Sequence, residues 1–296
     1  MAIAVLPRVA DLIESVDPAL ATEVRAKVDA FRTALAPTWT GSFYGRAYFG
    51  DGELTKTDAI DLEAQVWALV GDTFAKPADR TTLVNAIASQ LDDPSPMGAT
   101  LSPGGQVWPA ISGILSWGYA ASDPERAWTH LTRNTMTSHA LAWPSLWYGI
   151  WSAPDGMSTT GPHAGEAWFS AVTPMVDFPV LNNNAHAMPL LALFRVVGVE
   201  ATAKGLRVEP HLLGHDLTLH TELFGWSQRG TTLTFDYHIP FNVAREVEVR
   251  APGSKRIASL SLDGGAIAIS PGLTRAVVAI PPHNGQVARV VAVFQE

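Results

Sequence analysis

Three acidic residues are placed where they could serve in acid–base chemistry. Asp155 and Glu166 lie in a stretch rich in Gly and Pro, and Glu63 lies on a predicted helix. Cleavage of a glycosidic bond generally uses two carboxyl groups: one protonates the leaving oxygen, and the other activates water or attacks the anomeric carbon. We therefore predict Asp155, Glu166 and Glu63 as catalytic residues.

Each of these acids also has an ordinary structural explanation. Asp155 lies between Pro and Gly, as a turn residue would. Glu166 would fit the first turn of a helix beginning near Gly165, where an acid suits the helix dipole. Glu63 could be a plain helix-face acid. The neighbouring residues are needed to distinguish catalytic from structural roles for these acids.

Aromatic side chains accompany the acids. Residues 143–168 are rich in Trp and Tyr, and Gly and Pro interrupt them repeatedly. Flat rings cover the apolar faces of a pyranose while polar groups reach its hydroxyls, so this pattern predicts a sugar-binding cleft. The alternatives are core packing for the rings, a salt bridge for the arginine and helix capping for the asparagine. The predicted substrate-binding residues are Tyr44, Arg46, Trp67, Trp108, Trp147, Trp151 and Asn183.

Composition narrows the classes of partner. The net charge is −8 and no run of Lys or Arg occurs, which argues against nucleic acid and gives no support for binding an anionic membrane. No apolar run approaches membrane-spanning length. Cys is absent, so disulfides and thiolate chemistry are impossible. The first residues lack the features of a secretory signal, so we expect a cytoplasmic protein.

Other kinds of catalytic site have little support. His211 and His215 are four residues apart, with His220 beyond them. That spacing could bind zinc on a helix, but this segment is predicted to be strand-rich and lacks the metalloprotease Glu. We predict no metal and no cofactor, since neither phosphate-binding glycine motif is present. Ser-His-Asp catalysis stays open, although no spacing indicates it.

Hydrophobic periodicity predicts about six or seven helices in the first two thirds of the chain. Outer amphipathic helices alternate with inner apolar ones, and long aromatic loops join some of them. This is the pattern of an α/α toroid, in which inner-helix ends and loops line a central cleft. Residues 43–52 are predicted as a loop or short hairpin. The predicted helices begin near Arg8, Asp17, Asp58, Pro77, Ala110, Asp123 and Asn184.

After Gly205 the apolar residues alternate instead. Several short strands with regular turns, including the hairpin signal Asp263-Gly264, predict an antiparallel β-sandwich. The predicted fold class is therefore α+β. A partial α/α-toroid helical domain would occupy residues 1–203, and a C-terminal β-sandwich domain would occupy residues 204–296.

Four segments together resemble one superfamily. F-Y-G-R-A-Y-F-G-D-G at 43–52 resembles the Tyr-x-Arg-Ala-Tyr-Asp-Asp-Asp-Gly loop of six-hairpin glycosidases, especially the cellobiose phosphorylase-like proteins of glycoside hydrolase family 94 and their relatives. I-D-L-E-A-Q-V-W at 60–67 resembles the inner helix that follows this loop. G-G-Q-V-W-P at 104–109 resembles a Gly-x-Val-Trp-Pro motif of related barrel glucosidases. Residues 196–210 are similar to the segment that leads into the C-terminal sandwich.

The resemblance implies a glycoside hydrolase or transglycosylase that acts on a glucoside or oligosaccharide. Phosphorolysis is less expected, because the resemblance places Pro109 or its neighbours where the phosphorylases have a phosphate-binding His, and Asn182-Asn183-Asn184 where they have a Thr-Gly pair. Alternatives are a non-catalytic carbohydrate-binding subunit, and a polysaccharide lyase that uses Tyr148 and His163.

The chain also departs from the superfamily pattern. It has room for about three of the six helical hairpins, and the Gly-Asp-Trp-Asn-Asp loop that carries the general acid is missing. We therefore expect a second protein chain, or self-association, to complete the barrel. An exposed apolar face on an inner helix such as Gln106–Tyr119 would mark that interface.

Overall fold

The computed structural model describes residues 1–50, 52–55, 57–144, 156–167, 183–238, 243–282 and 287–296. It divides into two compact units, Met1–Leu193 and Phe194–Glu296. The first unit contains most of the helices and the second contains two larger sheets, so the fold class is mixed α+β. The sequence-based domain limits of 1–203 and 204–296 remain a prediction.

Eight α-helices occur in the described part of the chain. Helix starts at Pro18, Pro77 and Pro124 agree with the sequence. The first helix begins at Ala2, six residues before the start predicted near Arg8, and the helix predicted from Asp58 begins later, at Leu62. The helices are α1 (Ala2–Ile13), α2 (Pro18–Leu35), α3 (Leu62–Gly71), α4 (Pro77–Ile87), α5 (Pro109–Ala120), α6 (Pro124–Arg133), α7 (Met136–Ala142) and α8 (Asn183–Val197).

Two helix starts have the same local cause. The Asp17 carboxylate accepts a hydrogen bond from the Leu20 backbone N–H at 2.9 Å, and Asp123 does the same for Arg126 at 3.0 Å. A Pro follows each cap, where its missing N–H costs nothing. The sequence signals for these starts are therefore confirmed.

Helices α3 and α5 form the centre of the first unit. Leu62, Val66 and Leu69 are buried along α3, as their spacing predicts. The two helices approach closely, because a Cβ built at Gly118 of α5 would lie only 2.9 Å from Leu69 Cβ. Most of α5 is buried, as expected for an uncharged helix.

Two small sheets lie between the helices. Strands β1 (Ala47–Phe49) and β2 (Glu53–Thr55) form the antiparallel hairpin predicted for this region. Strands β3 (Gln106–Val107), β4 (Met157–Ser158) and β5 (Glu166–Ala167) form an antiparallel sheet in that order. The helix predicted to begin near Gly165 is therefore wrong at its start, because Glu166 pairs with β4.

The second unit contains one sheet of six strands and one of four. The larger sheet is antiparallel throughout, in the order β13-β12-β15-β10-β9-β8. Alternate residues of β10 and β14 are buried, which gives each sheet one core face. The strands are β6 (Val199–Thr202), β7 (Gly205–Val208), β8 (Leu217–His220), β9 (Phe224–Arg229), β10 (Thr232–Tyr237), β11 (Arg245–Arg250), β12 (Arg256–Leu262), β13 (Gly265–Ala266), β14 (Arg275–Ile280) and β15 (Ala288–Gln295).

The four-stranded sheet contains a parallel pair that the sequence did not predict. Its order is β14-β11-β7-β6, and β11 runs parallel to β7. Parallel neighbours need a long connection, and here β8, β9 and β10 of the other sheet lie between them in the chain. Alternation predicts the strands, but it carries no information about this pairing.

A group of arginines holds one carboxylate on the four-stranded sheet. Glu248 accepts hydrogen bonds from Arg207 Nε at 3.0 Å, from Arg275 Nη2 at 2.8 Å and from Arg250 Nε. Its side chain is 13% exposed. Burial acts to raise the pKa of Glu248, but the hydrogen bonds from Arg275, Arg250 and Arg207 outweigh it and hold the pKa at about 2.

Replacing Glu248 with Gln is expected to lower the unfolding free energy by about 3 kcal/mol at neutral pH. The amide keeps the shape of the side chain but has no negative charge, and its NH₂ group replaces one of the two oxygens that accept from the arginines. Because the folded pKa is depressed, this contribution is present above the ordinary value of 4.5 and is lost as the pH falls toward about 2. Urea unfolding followed by Trp fluorescence across this pH range measures the difference.

Glu246→Gln is the matched control on the same strand. Glu246 meets Lys204 at 3.5 Å and is more exposed, so its replacement should cost below about 0.5 kcal/mol. A Glu248→Gln effect that stays constant down to the acid end of the range would contradict the charge explanation.

Candidate functional site

A guanidinium held between two carboxylates lies at the beginning of α3. Arg46 Nη1 donates to Asp61 Oδ2 at 2.6 Å, and Arg46 Nη2 donates to Glu63 Oε2 at 2.7 Å. Asp61 is buried, whereas Arg46 and Glu63 are each 46% exposed. The cluster thus has one buried carboxylate and two groups that a ligand can reach.

A buried amide fixes Arg46 in this position. Gln65 lies on the apolar stripe of α3 and is fully buried. Its Nε2 donates to the Tyr44 carbonyl at 2.8 Å, and its Oε1 accepts from the Tyr44 N–H at 2.8 Å. The Arg46 N–H also donates to the Thr55 carbonyl at 3.0 Å. The segment before β1 is thereby tied to α3 on one side and to β2 on the other.

Arg46 borders a pocket of about 440 Å³. Tyr48, Leu54 and Trp67 contribute apolar surface to its walls. Trp67 lies four residues after Glu63 on α3, and its ring meets Trp117 edge to face at a centroid distance of 6.4 Å. Tyr48 is half-exposed at 51%. The predicted binding residues Arg46 and Trp67 are therefore brought to one pocket.

Tyr44 lies in a different environment. Its ring is buried and packs against Trp39 at a centroid distance of 5.0 Å and against Phe74 at 6.0 Å. Its hydroxyl lies 3.0 Å from Thr73 Oγ1, and burial raises its pKa. These contacts are those of core packing, the alternative considered from the sequence.

Glu166 belongs to a second polar cluster, on the three-stranded sheet. Its Oε2 lies 2.9 Å from His163 Nδ1. The two side chains are exposed, His163 by 71% and Glu166 by 63%. Gln106, Ser158 and Glu166 are register partners across β3, β4 and β5, so their side chains share one face of the sheet.

Backbone hydrogen bonds connect the two clusters. The Leu62 N–H donates to the Leu101 carbonyl at 2.8 Å, and the Leu101 N–H donates to the Gln106 carbonyl at 2.7 Å. The sheet pairs Gln106–Ser158 and Ser158–Glu166 continue this path. The two hydrogen bonds and the two sheet pairs together make four steps from the start of α3 to Glu166. At roughly 4.8 Å per step, the two ends lie at most about 19 Å apart.

The described contacts do not pair Glu63 with Glu166. Glu63 is hydrogen-bonded to Arg46, and Glu166 is hydrogen-bonded to His163. The predicted catalytic pair therefore remains a prediction. Asp155, Trp147 and Trp151 lie outside the described residues.

Two further predicted binding residues begin helices. Trp108 follows β3 directly and is the N-cap residue of α5, where it is half-buried. Asn183 is the first residue of α8, and its side chain is not among those described. Their roles in binding remain predictions.

Sequence reasoning missed Asp61 and Gln65. A usable signal existed for Gln65, because it interrupts an apolar stripe of α3 with a polar side chain. A buried polar group needs hydrogen-bond partners, which indicates a structural contact at that position. For Asp61 the signal is weaker: it precedes the helix and lies two residues from Glu63.

A Ser-His-Asp set does occur in the fold, but it is buried. Ser116 Oγ lies 2.8 Å from His130 Nδ1, and His130 Nε2 lies 3.6 Å from Asp92 Oδ1. All three residues are fully buried, and burial lowers the pKa of His130 to about 4. His130 Nε2 already accepts the Ala99 N–H at 3.1 Å. This set therefore has no access to a substrate and serves the core.

The remaining charged partners of Asp92 support that conclusion. Arg133 Nη2 donates to Asp92 Oδ1, and Arg126 Nη1 donates to Asp92 Oδ2 at 3.4 Å. Tyr119 reaches the same carboxylate at 3.4 Å. Asp92 is thus a buried acceptor that joins the end of α4 to α5 and α6.

No metal-binding group of three or more His, Asp or Glu side chains occurs in the described ranges. His220 instead lies beside His238, with ring centroids 5.1 Å apart. None of the described helices has the length and apolarity needed to cross a membrane.

Comparison with known proteins gives distant structural matches. No protein-family model and no curated protein matches the chain. An α-L-rhamnosidase from Dictyoglumus thermophilum matches with a TM-score of 0.48 and 13% identity, over 98% of this chain and 31% of its own. A family 127 β-L-arabinofuranosidase from Geobacillus stearothermophilus T6 matches with a TM-score of 0.34 and 11% identity, over 80% and 42%. A second family 127 β-arabinofuranosidase matches with a TM-score of 0.34 and 10% identity, over 98% and 51%.

The chain spans about a third to a half of the length of these three structures. All three are glycoside hydrolases, and none is a family 94 protein, so the specific family resemblance remains a prediction. Similarity at this level does not determine an activity. The function is therefore argued from the chain's own side chains.

Replacing Ser116 with Ala is expected to lower the unfolding free energy by about 1–3 kcal/mol, because the buried Nδ1–H of His130 loses its acceptor. Activity of the folded protein should not change. Ser89→Ala is the control, since the exposed Ser89 hydroxyl donates only to backbone carbonyls of the preceding turn, Asn85 at 2.9 Å and Ala86 at 3.4 Å. Loss of activity at unchanged stability would contradict the structural role of Ser116.

Proposed function

We propose that this chain is a carbohydrate-active protein, acting as a glycoside hydrolase or transglycosylase on a glucoside or oligosaccharide. The observation that carries the proposal is the Arg46–Asp61–Glu63 cluster, whose Arg46 lines a pocket that Tyr48 and Trp67 also line. Planar guanidinium and carboxylate groups donate to and accept from neighbouring sugar hydroxyls, while the rings cover apolar sugar faces.

The buried carboxylate of Asp61 supports the proposal through Arg46. Asp61 accepts from Arg46 Nη1 at 2.6 Å and is itself buried. It therefore holds the guanidinium in place, while Arg46 and Glu63, each 46% exposed, are the groups that a ligand can reach.

Within this proposal Glu63 is the accessible carboxyl group of the cluster. Hydrolysis needs a second carboxyl group, which either protonates the leaving oxygen or activates water. Asp155 and Glu166 are the candidates from this chain, and a partner chain is another source. Trp108, Trp147, Trp151 and Asn183 would complete the binding surface.

A non-catalytic carbohydrate-binding subunit is the second candidate function. One observation favours it: Glu63 is engaged by Arg46, and the described contacts place no second carboxylate beside it except the buried Asp61. Such a site would bind sugar hydroxyls without cleaving the glycosidic bond. The lyase alternative has weaker support, because His163 is described but its predicted partner Tyr148 lies outside the described residues.

We also propose that the helices belong to a partial α/α toroid, that the two larger sheets form a sandwich, and that another chain or a second copy completes the barrel. The expected exposed face on Gln106–Tyr119 is wrong, because most of α5 is buried. Exposed apolar side chains lie instead along α1 and just beyond it, at Val5, Val9, Leu12 and Val16. On α1, Val5, Val9 and Leu12 follow one another at four and three residues, which is the spacing typical of a seam between two helices.

Arg46→Met and Glu63→Gln are each expected to reduce sugar release from aryl glycosides and oligosaccharides by about a hundredfold or more. Arg46→Lys should recover only part, because an ammonium cannot hold two carboxylates in one plane. Product analysis by chromatography measures the release. An unsaturated, ultraviolet-absorbing product would instead indicate a lyase.

Arg25→Met is the matched control. Arg25 also bridges two carboxylates, Asp11 and Glu14, but at an exposed position on α2. Its replacement should leave sugar release unchanged. Saccharide binding without turnover, lost in Arg46→Met, would favour the binding subunit, and no binding of any saccharide would refute both candidate functions.

The assembly proposal predicts a complex that depends on α1. Val9→Glu combined with Leu12→Glu should shift the chain toward monomer in sedimentation velocity, because charges would be buried in the seam. Val277→Glu, at an exposed position in β14, is the control and should leave the sedimentation unchanged. A wild-type chain that is monomeric both alone and with the products of neighbouring genes would contradict the assembly.

A further inference from the structure

The polar cluster around Glu166 on the three-stranded sheet has the features of a second ligand-contact site. We propose that Gln106, Ser158, His163 and Glu166 contact sugar units beyond those held by Arg46 and Glu63, so that the ligand is an extended oligosaccharide. This inference rests on the proposed function and specifies its substrate class.

The sheet places the polar side chains in one row. Gln106 is paired with Ser158, and Ser158 is paired with Glu166. The alternate pair, Val107 with Met157, is fully buried on the opposite face. Adjacent strands lie about 4.8 Å apart, so an amide, a hydroxyl and a carboxylate follow one another at regular spacing.

Buried contacts fix the position of the loop that carries His163. Ser95 Oγ and Thr159 Oγ1 form a buried hydrogen bond of 2.8 Å. Trp143 packs on the apolar face formed by Met97, Val107 and Met157. Gly165 has a φ of +85°, and a Cβ there would lie 2.5 Å from the Trp143 ring, so only glycine permits this approach.

This anchoring orients the histidine. The ionised Glu166 carboxylate only accepts hydrogen bonds, so His163 Nδ1 donates to it across 2.9 Å. Nε2 is then left to meet a ligand, since the His163 side chain is 71% exposed. Glu166 therefore acts in this site as the residue that positions the imidazole, as well as a contact in its own right.

The chemistry of the row fits a neutral polyhydroxylated ligand. Its members supply donors and acceptors of hydrogen bonds, and neither Lys nor Arg belongs to it. Recognition of a phosphate or carboxylate group would instead use a guanidinium or ammonium group. Sugar hydroxyls both donate and accept, as the amide and hydroxyl of Gln106 and Ser158 require.

The row and its connection to α3 indicate the length of the ligand. Gln106 and Glu166 lie two strand spacings, about 10 Å, apart, which is longer than one sugar ring. The hydrogen-bonded path from Leu62 through Leu101 and Gln106 joins this row to the helix start that carries Glu63, so both clusters are within reach of one oligosaccharide. A ligand that spans the row must therefore contain more than one sugar unit.

The test is binding as a function of ligand length, measured by calorimetry with cello- and malto-oligosaccharides from disaccharide to hexasaccharide. In the wild type, affinity should rise with length and then level off. Ser158→Ala and His163→Gln should weaken binding of the long ligands by about tenfold and leave the disaccharide unchanged. Arg46→Met should weaken binding at every length.

Asp11→Asn is the matched control, because Asp11 is 63% exposed and belongs to an ion pair, as Glu166 does. It should bind every ligand as the wild type does. Arg46→Met leaves the buried Asp61 without its charge partner and should lower the melting temperature, so binding is measured well below that temperature, whereas the other variants should melt as the wild type does. Wild-type length dependence in Ser158→Ala and His163→Gln, with loss only in Arg46→Met, would overturn this inference and leave the proposed function standing. Failure of every saccharide to bind the wild type would overturn both.

Discussion

The amide of Gln65 holds the candidate site together. It is buried among the apolar residues of α3 and makes hydrogen bonds to the backbone of Tyr44 on both its donor and acceptor sides. A buried amide is stable only when its groups are paired, and leaving one unpaired costs about 1–3 kcal/mol. The segment before β1 is therefore fixed against α3, and Arg46 follows two residues later. Without this contact the guanidinium would have no defined place between Asp61 and Glu63.

A comparison of two arginines separates electrostatics from site formation. Arg25 and Arg46 each bridge two carboxylates at similar distances. Both acids that Arg25 bridges are exposed, so water screens the charges and the pairs contribute little. Arg46 instead has one buried acid and lines a pocket that Tyr48 and Trp67 also line. The surroundings, and not the ion pair itself, make it a candidate for recognition.

The surroundings also separate structural from ligand-accessible groups among the acids and histidines. Asp92 and His130 are surrounded by partners in the core, so their chemistry is used for packing. His163 and Glu166 are exposed but mounted on a sheet that is itself anchored by buried contacts. A site needs groups that are both reachable and held in place. In the described part of the first unit, α3 and the three-stranded sheet supply that combination.

The sequence by itself determined the elements of this protein. Some features depend on local chemistry and can be predicted from the sequence: helix caps such as Asp17 and Asp123, the apolar period of α3 and the alternation after Gly205. The structure largely confirms them. Only the tertiary structure decided which side chains meet. The Arg46–Glu63 contact, the pairing of Glu166 with β4 rather than its place in a helix, and the parallel β7–β11 pair all join residues distant in the chain. Side-chain period records which face of an element is buried, but not which other element covers it.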